Sequence, residues 1–212
     1  MKITKVVFLL VALLLIEGCF RKKGSVKRLH RPKSNLKGSN LWYQSNYRIL
    51  AYKSKYKKTS EPRMMWNKAK PYLPYIKDVF KRHGLPNELC LLPMIESSFN
   101  PKAANSRAAG LWQFIVPTAK EYGLRINFFS DQRHDWKKST VAAAKYFSWL
   151  ADRYDRDWAL VLAAYNVGPG ALSRSMKKQG TNSYWKLKLR TETMNYVPKF
   201  VGLVQAVREE VR

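Results

Sequence analysis

Residues 139–164, STVAAAKYFSWLADRYDRDWALVLAA, decide the fold class. Ala143, Phe147, Leu150, Ala151 and Tyr154 recur at i, i+4, i+7, i+8 and i+11, which lays apolar side chains along one helical face for about three turns. Asp155 to Asp157 interrupts that helix, and Trp158 to Ala164 is so nearly all apolar that it belongs in the middle of a core. Outward from this pair the punctuation stays helical. Pro62 to Lys70 and Tyr72 to His83 read as helices separated by Pro71, with Gly84-Leu85-Pro86 as the stop. Asn87 is placed to cap a helix running to about Ser98, broken by Asn100-Pro101. Residues 102–110 read as a loop, and Val116 to Tyr122 as a short helix ended by Gly123. Gly168-Pro169-Gly170 turns the chain, and the last helix, from about Thr193 to Val211, repeats Val197, Val201, Val204, Val207 and Val211. No run alternates with period two, so the sequence predicts an all-α, mainly helical domain.

The 212 residues carry 40 Lys and Arg against 14 Asp and Glu, a formal net charge of +26 that makes anionic partners the first suspects. The distribution redirects that suspicion. Residues 20–60 hold +13 with no acid, residues 61–212 hold +12, and the first 19 residues the remaining +1. Lys2 and Lys5 precede an apolar run from Val6 to Ile16, the shape of an export signal over residues 1–18. Leu15-Ile16-Glu17-Gly18-Cys19 resembles a bacterial lipobox, with Cys19 the lipidated residue and Glu17 a departure from the small uncharged residues usual there. An uncleaved signal anchor is the alternative. Either way the chain leaves the cytoplasm, and no nucleic acid partner is expected. Residues 19–60 then form a basic tether, with Leu41-Trp42-Tyr43 positioned to dock on the domain that starts near Glu61. The tether is a second anchor for anionic headgroups or wall carboxylates, or a solvated spacer.

Glu96 is the most informative residue. In a helix, Leu92, Glu96 and Phe99 stand at i, i+4 and i+7, so the carboxylate shares the apolar face. Burial of an unpaired carboxylate raises its pKa, which suits a general acid. The alternative is a helix-end Glu that reaches solvent or an Arg.

Four blocks give Glu96 its context: Glu96-Ser97-Ser98-Phe99-Asn100-Pro101, Gly110-Leu111-Trp112-Gln113-Phe114, Ala163-Ala164-Tyr165-Asn166-Val167-Gly168 and Glu192-Thr193-Met194-Asn195-Tyr196-Val197-Pro198. In this order and spacing they resemble the lytic transglycosylases of the goose-type-lysozyme-like family, most closely the membrane-bound D branch, over about residues 61–212. The resemblance implies a lysozyme-like domain with a substrate groove. It implies Glu96 as the single catalytic acid, and Ser97, Gln113, Tyr165, Asn166 and Tyr196 as substrate-binding. Gly110, Trp112 and Glu192 would support them. Trp112 stands where many relatives carry methionine. D-branch relatives commonly continue into small sugar-binding modules, whereas this sequence reaches Arg212 directly after its last helix.

The reaction so implied cleaves the β-1,4 bond between N-acetylmuramic acid and N-acetylglucosamine in peptidoglycan glycan strands. Glu96 protonates the leaving oxygen, then takes a proton from the 6-hydroxyl, which closes a 1,6-anhydro ring. A lysozyme-type hydrolase would instead need a second acid to activate water; Glu121, Asp131, Asp135 and Glu192 are the candidates near the blocks. A non-catalytic wall- or membrane-binding lipoprotein is the other alternative. Phe20 after Cys19, being no Asp, implies the periplasmic side of the outer membrane by the sorting habit of such lipoproteins.

No cofactor is expected, and no metal: His30, His83 and His134 have no second ligand at i+3 or i+4. Cys90, in an apolar run, reads as a structural thiol. Trp112, Trp136 and Trp185 fall where a ring could stack on sugar, while Trp149 and Trp158 read as core.

Overall fold

The computed structural model describes residues 40–211. The export signal, Cys19, His30 and most of the basic segment lie outside the described residues. The helices are α1 (Tyr47–Lys57), α2 (Glu61–Ala69), α3 (Leu73–Arg82), α4 (Pro93–Glu96), α5 (Val116–Glu121), α6 (Trp136–Arg153), α7 (Trp158–Val167), α8 (Pro169–Gln179) and α9 (Thr191–Glu210). Two minimal antiparallel hairpins complete the domain, β1 (Ala108–Ala109) with β2 (Phe114–Ile115) and β3 (Ile126–Asn127) with β4 (Ser130–Asp131). The first hairpin falls in and after the stretch read as a loop.

Helix α7 is the core element, with Trp158 through Ala164 all buried. Asp157 starts it by accepting hydrogen bonds from the amides of Ala159 (3.0 Å) and Leu160 (3.1 Å), and Asp135 caps α6 through the amide of Lys138 (3.0 Å). The five apolar positions expected on α6 are all buried. On the opposite face Trp149 is 41% exposed, which corrects its reading as core, whereas Trp158 is 4% exposed and is core. No described helix is long and apolar enough to cross a membrane.

Two further expectations need correction. The helix read over 87–98 is a 3-10 turn (Asn87–Leu91) followed by the single turn α4, and Asn87 makes no side-chain cap. Pro93, lacking an N–H, is accommodated at the start of α4. Ser98 and Phe99 then adopt φ of 50° and 56°, so Phe99 reaches the core through a left-handed turn and not along a helical face.

Residues 40–60, read as tether, are folded. Asn46 caps α1, and α1 lies along α9 so closely that a Cβ on Gly202 would sit 2.8 Å from the Lys53 amide nitrogen. Leu41 and Trp42 are buried, and Gln205 donates to the carbonyl of Gln44 (2.8 Å). The pairing also resolves a backbone problem. Pro198 sits inside α9 and cannot donate to the Met194 carbonyl one turn back. That carbonyl accepts instead from the Tyr184 hydroxyl (2.7 Å) and from Arg48 of α1 (3.1 Å).

Candidate active site

Glu96 is the last residue of α4, and its carboxylate accepts a hydrogen bond from the Tyr196 hydroxyl of α9. Burial lifts its pKa from 4.5 to about 7; the Tyr196 hydrogen bond and the charge of Lys199 oppose the rise, and the Glu192 charge adds to it. The group is therefore poised to hold or release a proton near neutrality. Tyr165 and Tyr196 are pushed well above the ordinary phenol value, chiefly by burial and next by the Glu96 charge, so both remain neutral donors.

The four sequence blocks interlock around this carboxylate. Ser97 donates to the Leu111 carbonyl (2.8 Å), tying the turn after Glu96 to the second block. Tyr165 donates to the Trp112 carbonyl (2.6 Å), and its ring stacks on Phe147 with centroids 4.7 Å apart. Asn166, one residue along α7, donates to Glu192 (3.3 Å) and accepts from Thr193 (2.8 Å) on the first turn of α9. Gln113 has φ of 48°, and its side chain closes the loop it sits on, donating to the carbonyls of Gly110 (2.9 Å) and Ala103 (3.3 Å).

Trp112 is fully buried, stacked on Phe80 at 5.2 Å, and its indole donates to Thr140 (3.0 Å), so it is not available to a sugar ring. Trp136 and Trp185 remain partly exposed. Cys90 is buried, with its thiol pushed up to about 12 by desolvation, which suits a structural role. No group of three or more metal-ligating side chains occurs among the described residues.

Three of the four candidate second acids are engaged with partners, and the fourth stands on another element. Asp131 is bound by the Arg133 guanidinium (2.6 Å), and that hydrogen bond leads the lowering of its pKa. At Asp135 burial pulls upward, but hydrogen bonds from the Lys138 amide and ammonium and the Lys138 charge leave the carboxyl below its ordinary value. Glu192 supports Asn166. Glu121 stands exposed at the end of α5.

Sequence reasoning did not single out Thr193 or Lys199. Thr193 lies inside the fourth block at i−3 from Tyr196, on the same side of α9, and that spacing was its available signal.

A helical domain that presents a raised carboxylate at the end of a short helix, faced by two neutral tyrosines, is of the lysozyme-like class. The chain belongs to the transglycosylase SLT domain family, whose model matches residues 75–188. It is 36% identical over 173 residues to membrane-bound lytic murein transglycosylase D of Escherichia coli strain K12, covering 79% of this chain and 38% of that protein. It is 40% identical over 110 residues to a putative tributyltin chloride resistance protein of Alteromonas sp. strain M-1, covering 51% and 53% of the two chains. Membrane-bound lytic murein transglycosylase C of Glaesserella parasuis serovar 5 is 30% identical over 122 residues, 50% of this chain and 33% of its own. The chain thus spans well under two thirds of the length of these curated relatives.

The Tyr196 bond makes a testable statement about pH. Because it lowers the Glu96 pKa, Tyr196→Phe should raise it further. For a step that needs protonated Glu96, the alkaline limb of kcat/KM should lie near 7 in the natural protein and move to higher pH in Y196F. The plateau should fall roughly tenfold for the lost donor. A pH–rate series on purified sacculi measures both, and an unmoved limb would separate Tyr196 from the titration of Glu96.

Proposed function

We propose that this chain cleaves the β-1,4 bond between N-acetylmuramic acid and N-acetylglucosamine of peptidoglycan as a lytic transglycosylase, leaving a 1,6-anhydromuramic end. The observation that carries the reading is the raised carboxylate of Glu96, where the four blocks meet, against other acids near the blocks that are ion-paired, capping, bound to Asn166 or exposed on another element. Glu96 in its protonated form gives its proton to the leaving oxygen. The glycosidic bond breaks with that transfer, and the oxygen of the substrate's own N-acetyl group bonds to C1 from the opposite face. As a carboxylate Glu96 then accepts the proton of the sugar's 6-hydroxyl, whose oxygen bonds to C1 as the N-acetyl oxygen leaves. The cycle returns Glu96 protonated and consumes no water. Tyr196 donates to Glu96 as its carboxylate forms, and Asn166 keeps a neutral N–H for the glycan, while Tyr165, its one O–H given to the Trp112 carbonyl, holds the wall between them. Ser97 and Gln113, whose donor hydrogens go to the carbonyls of Leu111, Gly110 and Ala103, meet the substrate through their remaining oxygen lone pairs, while Gly110, Trp112 and Glu192 hold the walls in place.

The names of the two murein transglycosylase relatives, both membrane-bound, support a murein substrate and a place in the cell envelope for this chain as well. The finer location is the periplasmic face of the outer membrane, reached through lipidation of Cys19 after removal of residues 1–18. The basic residues that follow would act as the second attachment that a single lipid signal needs.

Digestion of purified sacculi followed by mass spectrometry of the released muropeptides tests the reaction. Products ending in 1,6-anhydromuramic acid are expected. Water-added reducing ends in their place would assign a hydrolase and overturn the ring-closing step.

A further inference from the structure

The carboxamide of Asn166 is gripped at both ends by the first turn of α9. Its nitrogen lies 3.3 Å from Glu192 Oε1, and its oxygen lies 2.8 Å from Thr193 Oγ1. The chemistry of the partners fixes this orientation. A carboxylate only accepts, so the amide nitrogen must face Glu192; the amide oxygen then faces Thr193, whose hydroxyl must donate. A flipped amide would set its oxygen against the Glu192 carboxylate.

The grip is also rigid. Thr193 is 2% exposed, and its carbonyl, like that of Met194, accepts from the Tyr184 hydroxyl (2.9 and 2.7 Å). Arg48 of α1 holds the Met194 carbonyl as well. With one amide hydrogen directed at Glu192 and a lone pair of the oxygen taken by Thr193, the second N–H is the donor that Asn166 has left to offer on its exposed side.

We propose that Thr193 is a positioning residue that, with Glu192, holds Asn166 as a hydrogen-bond donor to an oxygen of the bound glycan. This rests on the glycan-cleaving reading above. Thr193 is too buried to touch a polymer, so it acts through Asn166 alone.

A double-mutant cycle in the full chain tests the assignment. Thr193→Val keeps the shape and deletes the donor, and should lower kcat/KM on sacculi about tenfold, mostly in kcat. Thr193→Ser should stay within about twofold of the natural protein, because a hydroxyl can still reach the amide oxygen. In an Asn166→Ala background, T193V should cost nothing further. Equal losses in both backgrounds would make Thr193 a packing residue and overturn the proposal.

Sacculus affinity, measured by co-sedimentation for the natural protein, T193V, N166A and the double variant, separates this inference from the reading beneath it. If the natural protein releases no glycan product, the catalytic reading fails, and the cycle is read in affinity alone. A weakening by T193V that vanishes in the N166A background then supports the positioning role, and an equal weakening overturns it. A natural protein that neither cleaves nor binds sacculi overturns both.

Discussion

Glu96→Gln should lower muropeptide release by roughly 10³-fold or more while leaving sacculus binding intact, because the amide keeps the shape and can neither give nor take the proton. Stability should move the opposite way, with a pH signature. The Glu96 pKa rises from 4.5 to about 7 on folding. Below 4.5 the carboxyl is protonated in folded and unfolded chains alike, and the substitution should be close to neutral. Between 4.5 and about 7 the unfolded chain releases its proton while the folded one retains it, so the natural protein loses stability as pH rises. Above about 7 the loss is complete. At pH 8 E96Q should be the more stable protein by about 1–3 kcal/mol, the lower end reflecting the part of the side chain that still meets solvent. Chemical denaturation at pH 4 and pH 8 measures the difference. A variant that is inactive and less stable at both pH values would mean that Glu96 is held by pairing and not strained by burial.

The sign of that effect shows what the sequence could and could not disclose. Periodicity exposed α6, α7 and α9, because their apolar faces repeat over several turns. It also put Glu96 among apolar neighbours, which is correct, on a helix to Ser98, which is not. Pro93 inside that supposed helix was the contrary signal, since it marks a start better than a continuation. The left-handed turn at Ser98 and Phe99 was invisible, because neither residue type favours it and only the surrounding packing imposes it.

Similarly, α1 was hidden by its charge. Lys53, Lys55, Lys57 and Lys58 read as a solvated arm, yet Lys53 and Lys57 both meet Glu209 of α9 while Ile49 and Tyr56 turn inward. A helix whose partner lies some 150 residues away declares itself only in three dimensions. Within the site, the four blocks could be read from residue identity. What joins the second block to the first and third is carried by backbone carbonyls, those of Leu111 and Trp112, and no side-chain pattern reports a carbonyl.

Those carbonyls depend on Gly110, and Gly110→Ala should be the most damaging single methyl in the domain. Gly110 has φ of 82°, and a Cβ there would lie 1.8 Å from the Arg133 carbonyl oxygen and 2.6 Å from its carbon. Neither side can yield. The Arg133 amide donates to Asp131 (3.0 Å), its guanidinium grips Asp131 and the Phe114 carbonyl (3.1 Å), and the neighbouring His134 ring meets the Pro101 carbonyl (2.9 Å). On the other side the Gly110 amide donates to Ala103 (2.7 Å). Relief requires the 110–114 loop to lift, which carries away the carbonyls that orient Ser97 and Tyr165 and unseats the buried Trp112. A loss of at least about 3 kcal/mol is expected, near 10 °C in melting temperature for a domain of this size, together with most of the activity. Gly123→Ala provides the comparison. It shares the left-handed backbone, at φ of 92°, but a Cβ there meets nothing within 4 Å. It should cost only the conformational penalty of roughly 1–2 kcal/mol and leave turnover on sacculi nearly unchanged. Equal melting temperatures for the two variants would show that the approach of Arg133 to Gly110 is not what holds the second block in place.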